Sequence, residues 1–377
     1  MSHMIPFIDL IAQRGRIQSR LDAVLAKVIA EGRYIAGPEV AEVEAKLAEF
    51  GAAKHALTCA NGTDALLLPL MTWSIGPGDA VFVPSFTFAS TAEVVALRGA
   101  TAVFVDIDPD TYCMDPKSLS EAIDQIRADG EFTPRVVIAV DMFGQPADYP
   151  AIRSLCEDHG LKLIADSAQG FGCTLNGKHP VYWADIATIS FYPAKPLGCY
   201  GDGGAVVTND DALATTIRSL KNHGEGDHRY AYAHIGLNSR LDTIQAAVLL
   251  EKLAIFKDEI TARNVAADHY ATALSSRIKT PSVIDGGVST WAQYTVETEG
   301  REDFQTKLSI NGVPTAIYYP IPLHKQPPYS AYPTAPNGLP ATERAASRVI
   351  SLPMDAYLGG DRQAQVIAAV DKAVSDA

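Results

Sequence analysis

The chain has no apolar run approaching the ~18–20 residues that a membrane-spanning helix needs, so no segment reads as a bilayer crossing. Basic residues are also in short supply. Against 44 Asp and Glu there are 31 Lys and Arg, a net charge of −13, which disfavours sequence-independent binding to nucleic acid or to an anionic membrane. Any anionic ligand must therefore meet a local cluster of cations. The five cysteines (Cys59, Cys113, Cys156, Cys173, Cys199) include no CxxC pair and follow no signal-like segment, so they read as reduced thiols of a cytoplasmic protein, and no metal site is expected. No G-x-G-x-x-G fingerprint follows the first strand, which argues against a dinucleotide-binding dehydrogenase. Internal repeats and low-complexity tracts are absent too.

What is present is an ordinary globular composition, 47% hydrophobic over 377 residues. Single cores stop growing at roughly 250–300 residues, so a large lobe and a smaller one are expected. Met1 to Met4 (MSHM) read as an added leader before the apparent start IPFIDL. From Leu21 to Phe50, apolar residues at helical spacing, broken by Gly32 and Gly37-Pro38, predict two helices around the loop GRYIAGPEV. Short apolar runs follow at 80–84, 101–105, 136–140, 162–165, 187–190 and 205–208. Being continuous and not alternating, they predict strands buried on both faces of a mainly parallel sheet. Helical patterns at 118–128 and 151–159 lie between them, giving an α/β domain of three layers, α/β/α, with function expected at the carboxyl ends of the strands. A long helix from Leu241 to Lys257 leads into another ending near Ser275. The division expected is a large domain over 5–255 and a smaller C-terminal α+β domain over 256–377, the latter with a strand near 292–298 and a Pro-rich stretch at 320–328.

Four groups at strand ends match what pyridoxal 5'-phosphate (PLP) asks of a protein: a lysine for its aldehyde, an acid for its pyridine nitrogen, an anion site, and a flat group against its ring. The lysine is Lys195 in SFYPAKPLGCYGDGG. A loop lysine is ordinarily exposed and inert, but this one sits between two prolines and before a glycine-rich turn that lets backbone approach a ligand. The acid is Asp166 in LIADSAQGFG, which otherwise reads as a helix N-cap; Gln169 is placed to bond the ring hydroxyl. The anion site is Asn61-Gly62-Thr63-Asp64 before the helical run 65–71, where free helix amides plus a hydroxyl suit a phosphate, with simple capping as the alternative. Ser190 is a second phosphate candidate. The flat group is Phe88 in VPSFTFAS, which otherwise reads as core.

Taken together, FIDL, GPEV, ANGTDAL, PSFTF, DIDPDTY, DSAQGFG, SFYPAKPLGCYGDGGAVVTND, NSRLDTIQAA, GVPTAIYYPIPLHKQP and SLPM span nearly the whole chain. In these motifs the sequence resembles the DegT/DnrJ/EryC1/StrS family of PLP-dependent nucleotide-sugar aminotransferases, which have the type I (aspartate aminotransferase) fold. The resemblance implies that Lys195 carries the cofactor and acts as the proton carrier. It gives Asp166 the pyridine nitrogen, Gln169 the ring oxygen, Phe88 the ring face, and Gly62, Thr63 and Ser190 the phosphate. Asn238 of GLNSRLD would reach the phosphate of a neighbouring subunit, which implies a homodimer with shared sites. The implied cycle is ping-pong: L-glutamate leaves as 2-oxoglutarate, pyridoxamine 5'-phosphate (PMP) is the carrier form, and a keto sugar receives the amino group.

KPLGCYGDGGA, AQYTV and YPIPL-x-KQP resemble the branch that aminates carbon 3, with UDP-2-acetamido-2-deoxy-3-oxo-D-glucuronate as the expected substrate and surface polysaccharide or lipopolysaccharide precursors as the expected destination. His324 and Tyr318 depart from that branch, which carries a smaller polar residue and a histidine there. For the anionic substrates Arg240 is the first candidate, its fork suiting a carboxylate, with an inter-subunit ion pair as the alternative. Lys325 and the Arg33-Tyr34 loop are candidates for the uronate or diphosphate, and Tyr319 for the nucleotide. Three alternatives stay open: a dTDP-3-keto-6-deoxyhexose aminotransferase, a sugar dehydratase of the same fold, which replaces the lysine by histidine, and a non-catalytic PLP-binding regulator.

Overall fold

The apolar runs form a seven-stranded sheet in the computed structural model, which describes residues 5–228 and 230–375. The MSHM leader lies outside the described residues. The chain opens with α1 (Leu10–Glu31) and α2 (Pro38–Phe50) around the GRYIAG loop. It continues through β1 (His55–Cys59), α3 (Gly62–Thr72), β2 (Asp79–Pro84), α4 (Ser90–Leu97) and β3 (Thr101–Val105). Next come α5 (Pro116–Asp129), β4 (Thr133–Val140), α6 (Tyr149–His159), β5 (Lys162–Asp166) and the two-residue β6 (Thr174–Leu175). After β7 (Ile186–Ser190), β8 (Gly204–Thr208) and α7 (Asp211–Leu220) the chain enters the 32-residue α8 (Thr243–Leu274). The remainder holds β9 (Gly287–Val288), β10 (Tyr294–Glu297), α9 (Arg301–Ile310), α10 (Pro340–Arg348), β11 (Val349–Leu352) and α11 (Gly360–Ser375).

Local chemistry sets many of these boundaries. Asp115 caps α5 by accepting from the amides of Lys117 and Ser118, Pro116 fills the first helical position, and Gly130 ends the helix at φ 67°; such a cap stabilises by about 1 kcal/mol. In α6, Asp148 accepts from the Ala151 amide, Pro150 stands at the second helical position, and Gly160 ends the helix at φ 67°.

The sheet order is β1-β8-β7-β5-β4-β2-β3. Only β8 runs against the rest, pairing antiparallel with β1 and β7. One edge of the sheet therefore gathers the carboxyl ends of six strands and the amino end of β8. Register makes this concrete: Asp166 lies opposite Val140 on one side and Thr188 on the other, and Gly204 pairs with both Ser190 and Cys59. Buried side chains of α3 and α7 pack with β1, β7 and β8 around Leu57, Leu68, Val206 and Ile217, while α5 and α6 pack into the main core with Leu119, Ile123 and Ile152. Three layers result, as the strand pattern predicts.

Two readings need correction. β1 (HALTC) was not among the expected strands, and the two helices expected over 241–275 are one continuous helix. The expected division at 255/256 falls inside it. Its first half packs against α1 and α2, and its second half supplies Ala267, Tyr270 and Leu274 to a separate core with Tyr294, Phe304, Ile350 and Val366. Ile5, from the other end of the chain, completes that core. Asp9 accepts from Arg362 at 2.8 Å and Met354 donates to the Phe7 carbonyl at 3.3 Å, so the chain's two ends are tied together. No helix among the described residues is long and apolar enough to cross a membrane.

Candidate active site

The loop from Phe191 to Gly203 joins β7 to the antiparallel β8 and carries Lys195 back over the sheet edge. Its turn is closed by a 2.8 Å bond from the Lys195 amide to the Tyr192 carbonyl. Burial lowers the Lys195 ammonium to about 8, against the opposing pull of the Asp166 charge. Asp166 ends the neighbouring strand and is 4% exposed. Burial pushes its carboxyl above the usual range, while the Ala168 amide, the Lys195 charge and the Thr91 hydroxyl pull it back. The residues after Asp166 form a turn and no helix; its Oδ1 accepts from the Ala168 amide at 3.2 Å and its Oδ2 from Thr91 Oγ1 at 3.2 Å. The helix-cap reading of Asp166 therefore fails, and a desolvated carboxyl faces a desolvated amine.

Gln169 is buried, with its orientation fixed by its partners. Its Oε1 accepts from the Phe143 amide at 3.0 Å, which leaves Nε2 as the outward donor, 3.4 Å from the Tyr319 hydroxyl. Phe88 is 57% exposed and so is not core; its ring lies 6.2 Å from that of Tyr319. Tyr319 packs edge-on to Phe86 as well. Burial, with the Asp166 charge adding to it, pushes the Tyr319 phenol up, so it stays protonated. The structure thus sets Tyr319 beside Gln169 and Phe88.

The capping reading of the ANGTD segment is the one seen directly. Asn61 caps α3 by accepting from the Asp64 amide at 2.8 Å, which leaves the amides of Gly62 and Thr63 at the helix start without intrahelical partners. Thr63 Oγ1 meets Ser90 Oγ at 2.7 Å. The backbone here is packed so closely that only glycine fits. A Cβ on Gly62 would lie 2.7 Å from Ser190 Cβ, and one on Gly204 would lie 2.3 Å from the Asn61 carbonyl oxygen. Two amides, two hydroxyls and a helix N-terminus converge there, a donor set suited to a phosphate.

The other candidates form a second group. The Tyr34 carbonyl accepts from the Thr243 amide at 2.9 Å, holding the Arg33-Tyr34 loop against the start of α8. Arg240 lines a groove of about 660 Å³ with Gly37, Lys221 and Asn222. Its Nη1 donates to Asn222 Oδ1 at 3.4 Å, and its buried Nε has no partner among the described residues. Asn238 is exposed, and the adjoining Ser239 bonds Asp64 at 2.6 Å. Among the described residues, Arg33, Tyr34, Asn238 and Arg240 make no hydrogen bond to Lys195, Asp166 or Gln169. Lys325 pairs with Glu343 at 2.9 Å, and His324 bridges the same Glu343 to Ser85, at 3.3 and 2.7 Å.

Sequence reasoning missed two supports of this site. Thr91 sits three residues beyond Phe88 and bonds Asp166. Asp141 follows β4 directly, a strand-end acid like Asp166, and its carboxylate accepts from Ser167 Oγ at 2.5 Å, Tyr149 Oη at 2.7 Å and the Ala147 amide at 3.3 Å. Burial raises the Asp141 carboxyl from 3.8 to about 7, against those three bonds. Between pH ~4 and ~7 the folded chain therefore holds a proton that the unfolded chain has lost, so this group's contribution falls as pH rises through that window. Asp141→Asn is expected to melt like the parent at pH 4 and on the order of 5 °C higher at pH 8. Equal melting temperatures at both pH values would contradict it.

Comparison with known proteins points to one family. A UDP-2-acetamido-2-deoxy-3-oxo-D-glucuronate aminotransferase of Pseudomonas aeruginosa is 48% identical over 358 residues, 94% of this chain and 96% of its own length. The crystal structure of a DegT DnrJ EryC1 StrS aminotransferase from Brucella abortus superposes with a TM-score of 0.97 at 52% identity, covering 99% of this chain and all of that one. NtdA of Bacillus subtilis, solved with bound cofactor PMP, superposes with a TM-score of 0.88 at 28% identity, over 99% of this chain and 85% of its own. With the family profile matching residues 16–371 and the site residues arranged on a type I α/β scaffold, the chain belongs to the DegT/DnrJ/EryC1/StrS aminotransferase family.

Proposed function

We propose that the protein is a PLP-dependent nucleotide-sugar aminotransferase that moves the amino group of L-glutamate to UDP-2-acetamido-2-deoxy-3-oxo-D-glucuronate. The observation that carries the reaction class is the desolvated pair of Asp166, at the end of β5, and Lys195, on the loop that follows the adjoining β7, together with a glycine-walled anion cradle. The identity with the P. aeruginosa enzyme supports the sugar.

The donor set fits PLP. Bound there, PLP supplies the electron sink that spreads negative charge from the substrate carbon. Gly62 and Thr63 amides, with the Thr63 and Ser190 hydroxyls, would hold the phosphate. Asp166 would face the pyridine nitrogen, Gln169 Nε2 would donate to the ring oxygen, and Phe88 would cover a ring face. Lys195 would anchor the cofactor through its Nζ, and the same Nζ, when free, would carry the proton taken from the substrate carbon. An amine with a pKa of about 8 is roughly one-quarter neutral at pH 7.5, whereas at an ordinary 10.5 about one in a thousand is, so burial makes Lys195 a usable base.

Arg240 answers the charge problem posed by anionic substrates and a net charge of −13, its partnerless Nε leaving donor capacity free. Lys325 must exchange Glu343 for a substrate group to take part, and the Arg33-Tyr34 loop stands beside Arg240 through α8. Asn238 completes the phosphate site of a second subunit in a homodimer. Ile235 and Tyr232, 93% and 63% exposed on the preceding loop, supply apolar surface for that contact.

Incubating the enzyme with PLP, glutamate and a panel of UDP- and dTDP-linked keto sugars, then identifying the product by mass and NMR, tests the reading. A 3-amino uronate from the UDP sugar is expected. Amination of only a dTDP-3-keto-6-deoxyhexose would reassign the substrate. No change in cofactor absorbance on mixing with glutamate would leave a PLP-binding regulator and sink the aminotransferase.

A further inference from the structure

Lys252, in the first third of α8, has no part in the chemistry above, yet it is 1% exposed. A buried ammonium is costly unless its protons find acceptors. No carboxylate lies within ion-pair distance of it among the described residues. Instead its Nζ donates to the Gly198 carbonyl at 2.6 Å and stands 4.5 Å from the Tyr200 ring centroid. Both partners belong to the loop that carries Lys195.

The rest of that loop shows what the contact does. Gly198 is pressed against the Tyr192–Pro193 turn, so closely that a Cβ there would lie 2.6 Å from both carbonyl oxygens. The same Tyr192 carbonyl accepts the Lys195 amide. Seven residues before Lys252, on the same face of α8, Gln245 takes the Tyr200 amide at 2.8 Å and gives to its carbonyl at 3.3 Å. The helix therefore grips the loop at 198 and 200, and Gly198 passes that grip to the turn from which Lys195 projects.

We propose, on the reading of Lys195 given above, that Lys252 is a positioning residue: through the Gly198 carbonyl it holds the loop so that the Lys195 amine stays desolvated and aimed at the cofactor. Removing its amine lets the loop relax, admits water to Lys195, and so raises the affinity of that amine for its proton.

Lys252→Met keeps an unbranched apolar stem, one atom shorter, and removes the donor. In the cofactor-free protein, the pH dependence of Lys195 labelling by trace acetic anhydride, read by mass spectrometry, reports the amine directly. We expect its midpoint to rise by about one pH unit, a tenfold change in proton affinity. In the loaded enzyme at pH 7.5 we expect kcat to fall about tenfold with the Michaelis constant for glutamate within about threefold. Gln245→Ala, at a less buried position, should shift the labelling midpoint in the same direction by less, and it serves as the test if Lys252→Met does not fold. A folded Lys252→Met with parental labelling and kcat, or a parental Gln245→Ala where the methionine variant fails to fold, overturns the proposal. A parent enzyme whose Lys195 takes up no PLP would instead overturn the functional reading on which it rests.

Discussion

Lys195→Ala is expected to lower turnover by roughly 10⁴-fold or more, the scale on which a positioned general base contributes, while PLP still binds through Asp166, Gln169 and the Gly62 cradle. The variant loses the covalent anchor and the proton carrier at once. Lys195→Arg separates charge from function: it keeps a cation, but a guanidinium does not deprotonate in this pH range and so offers no base. Both variants are expected to be dead, and a rate within tenfold of the parent for either would contradict the assignment. The amine also leaves a mark on stability. Its proton affinity is depressed by folding, so between pH 8 and 10.5 the unfolded chain binds more protons than the folded one and stability rises with pH. Below pH 8 the cofactor-free protein bears the full cost of the buried ammonium, up to roughly 3 kcal/mol. Lys195→Met should therefore be the more stable apoprotein at pH 7, with the gap closing by about pH 10.5. Melting curves at the two pH values measure this.

Asp166→Asn is expected to cost roughly 10³ in kcat, about 4 kcal/mol of transition-state stabilisation. Asparagine has the shape of aspartate and can still accept from the Ala168 amide, so the turn should survive. What it cannot do is balance a protonated ring nitrogen inside a site that excludes water. Asp166→Glu returns the charge on a longer stem and should recover part of the loss. The split is diagnostic, because a purely structural role would be satisfied by asparagine and damaged by glutamate. Activity of Asp166→Asn within tenfold of the parent would refute the assignment.

Much of this arrangement was readable in advance, for a physical reason. Strands buried on both faces must be apolar throughout, so AVFVP, TAVFV and VVIAV stand out, and in a parallel sheet the polar residue after each run lands at a common edge. That logic brought Asp166, Ser190 and Lys195 to one place. β1 escaped because HALTC holds Thr58, whose amide and hydroxyl are satisfied by the buried Glu44 of α2, a partner that sequence alone does not show. Thr91 and Asp141 escaped differently: each acts through a neighbour on another strand or helix. Lys252 reads as one more cation on an amphipathic helix, and its meaning depends on the loop folded over it. Arg33, Tyr34, Asn238 and Arg240 make no hydrogen bond to Lys195, Asp166 or Gln169 among the described residues, so the fold of one chain does not by itself give them a part in the chemistry.

The knot of contacts between the chain's ends bears on how the protein is made. Ile5, Phe7 and Asp9 are made some 350 residues before their partners at Met354 and Arg362. Closing a loop of that length costs about 5 kcal/mol of chain entropy by the logarithmic scaling, and the second core cannot close before it is paid. The parallel sheet can assemble earlier from the middle of the chain. The segment around Ile5 therefore stays without its partners until the residues near 354–362 have been made, and the second core closes after the α/β lobe can form.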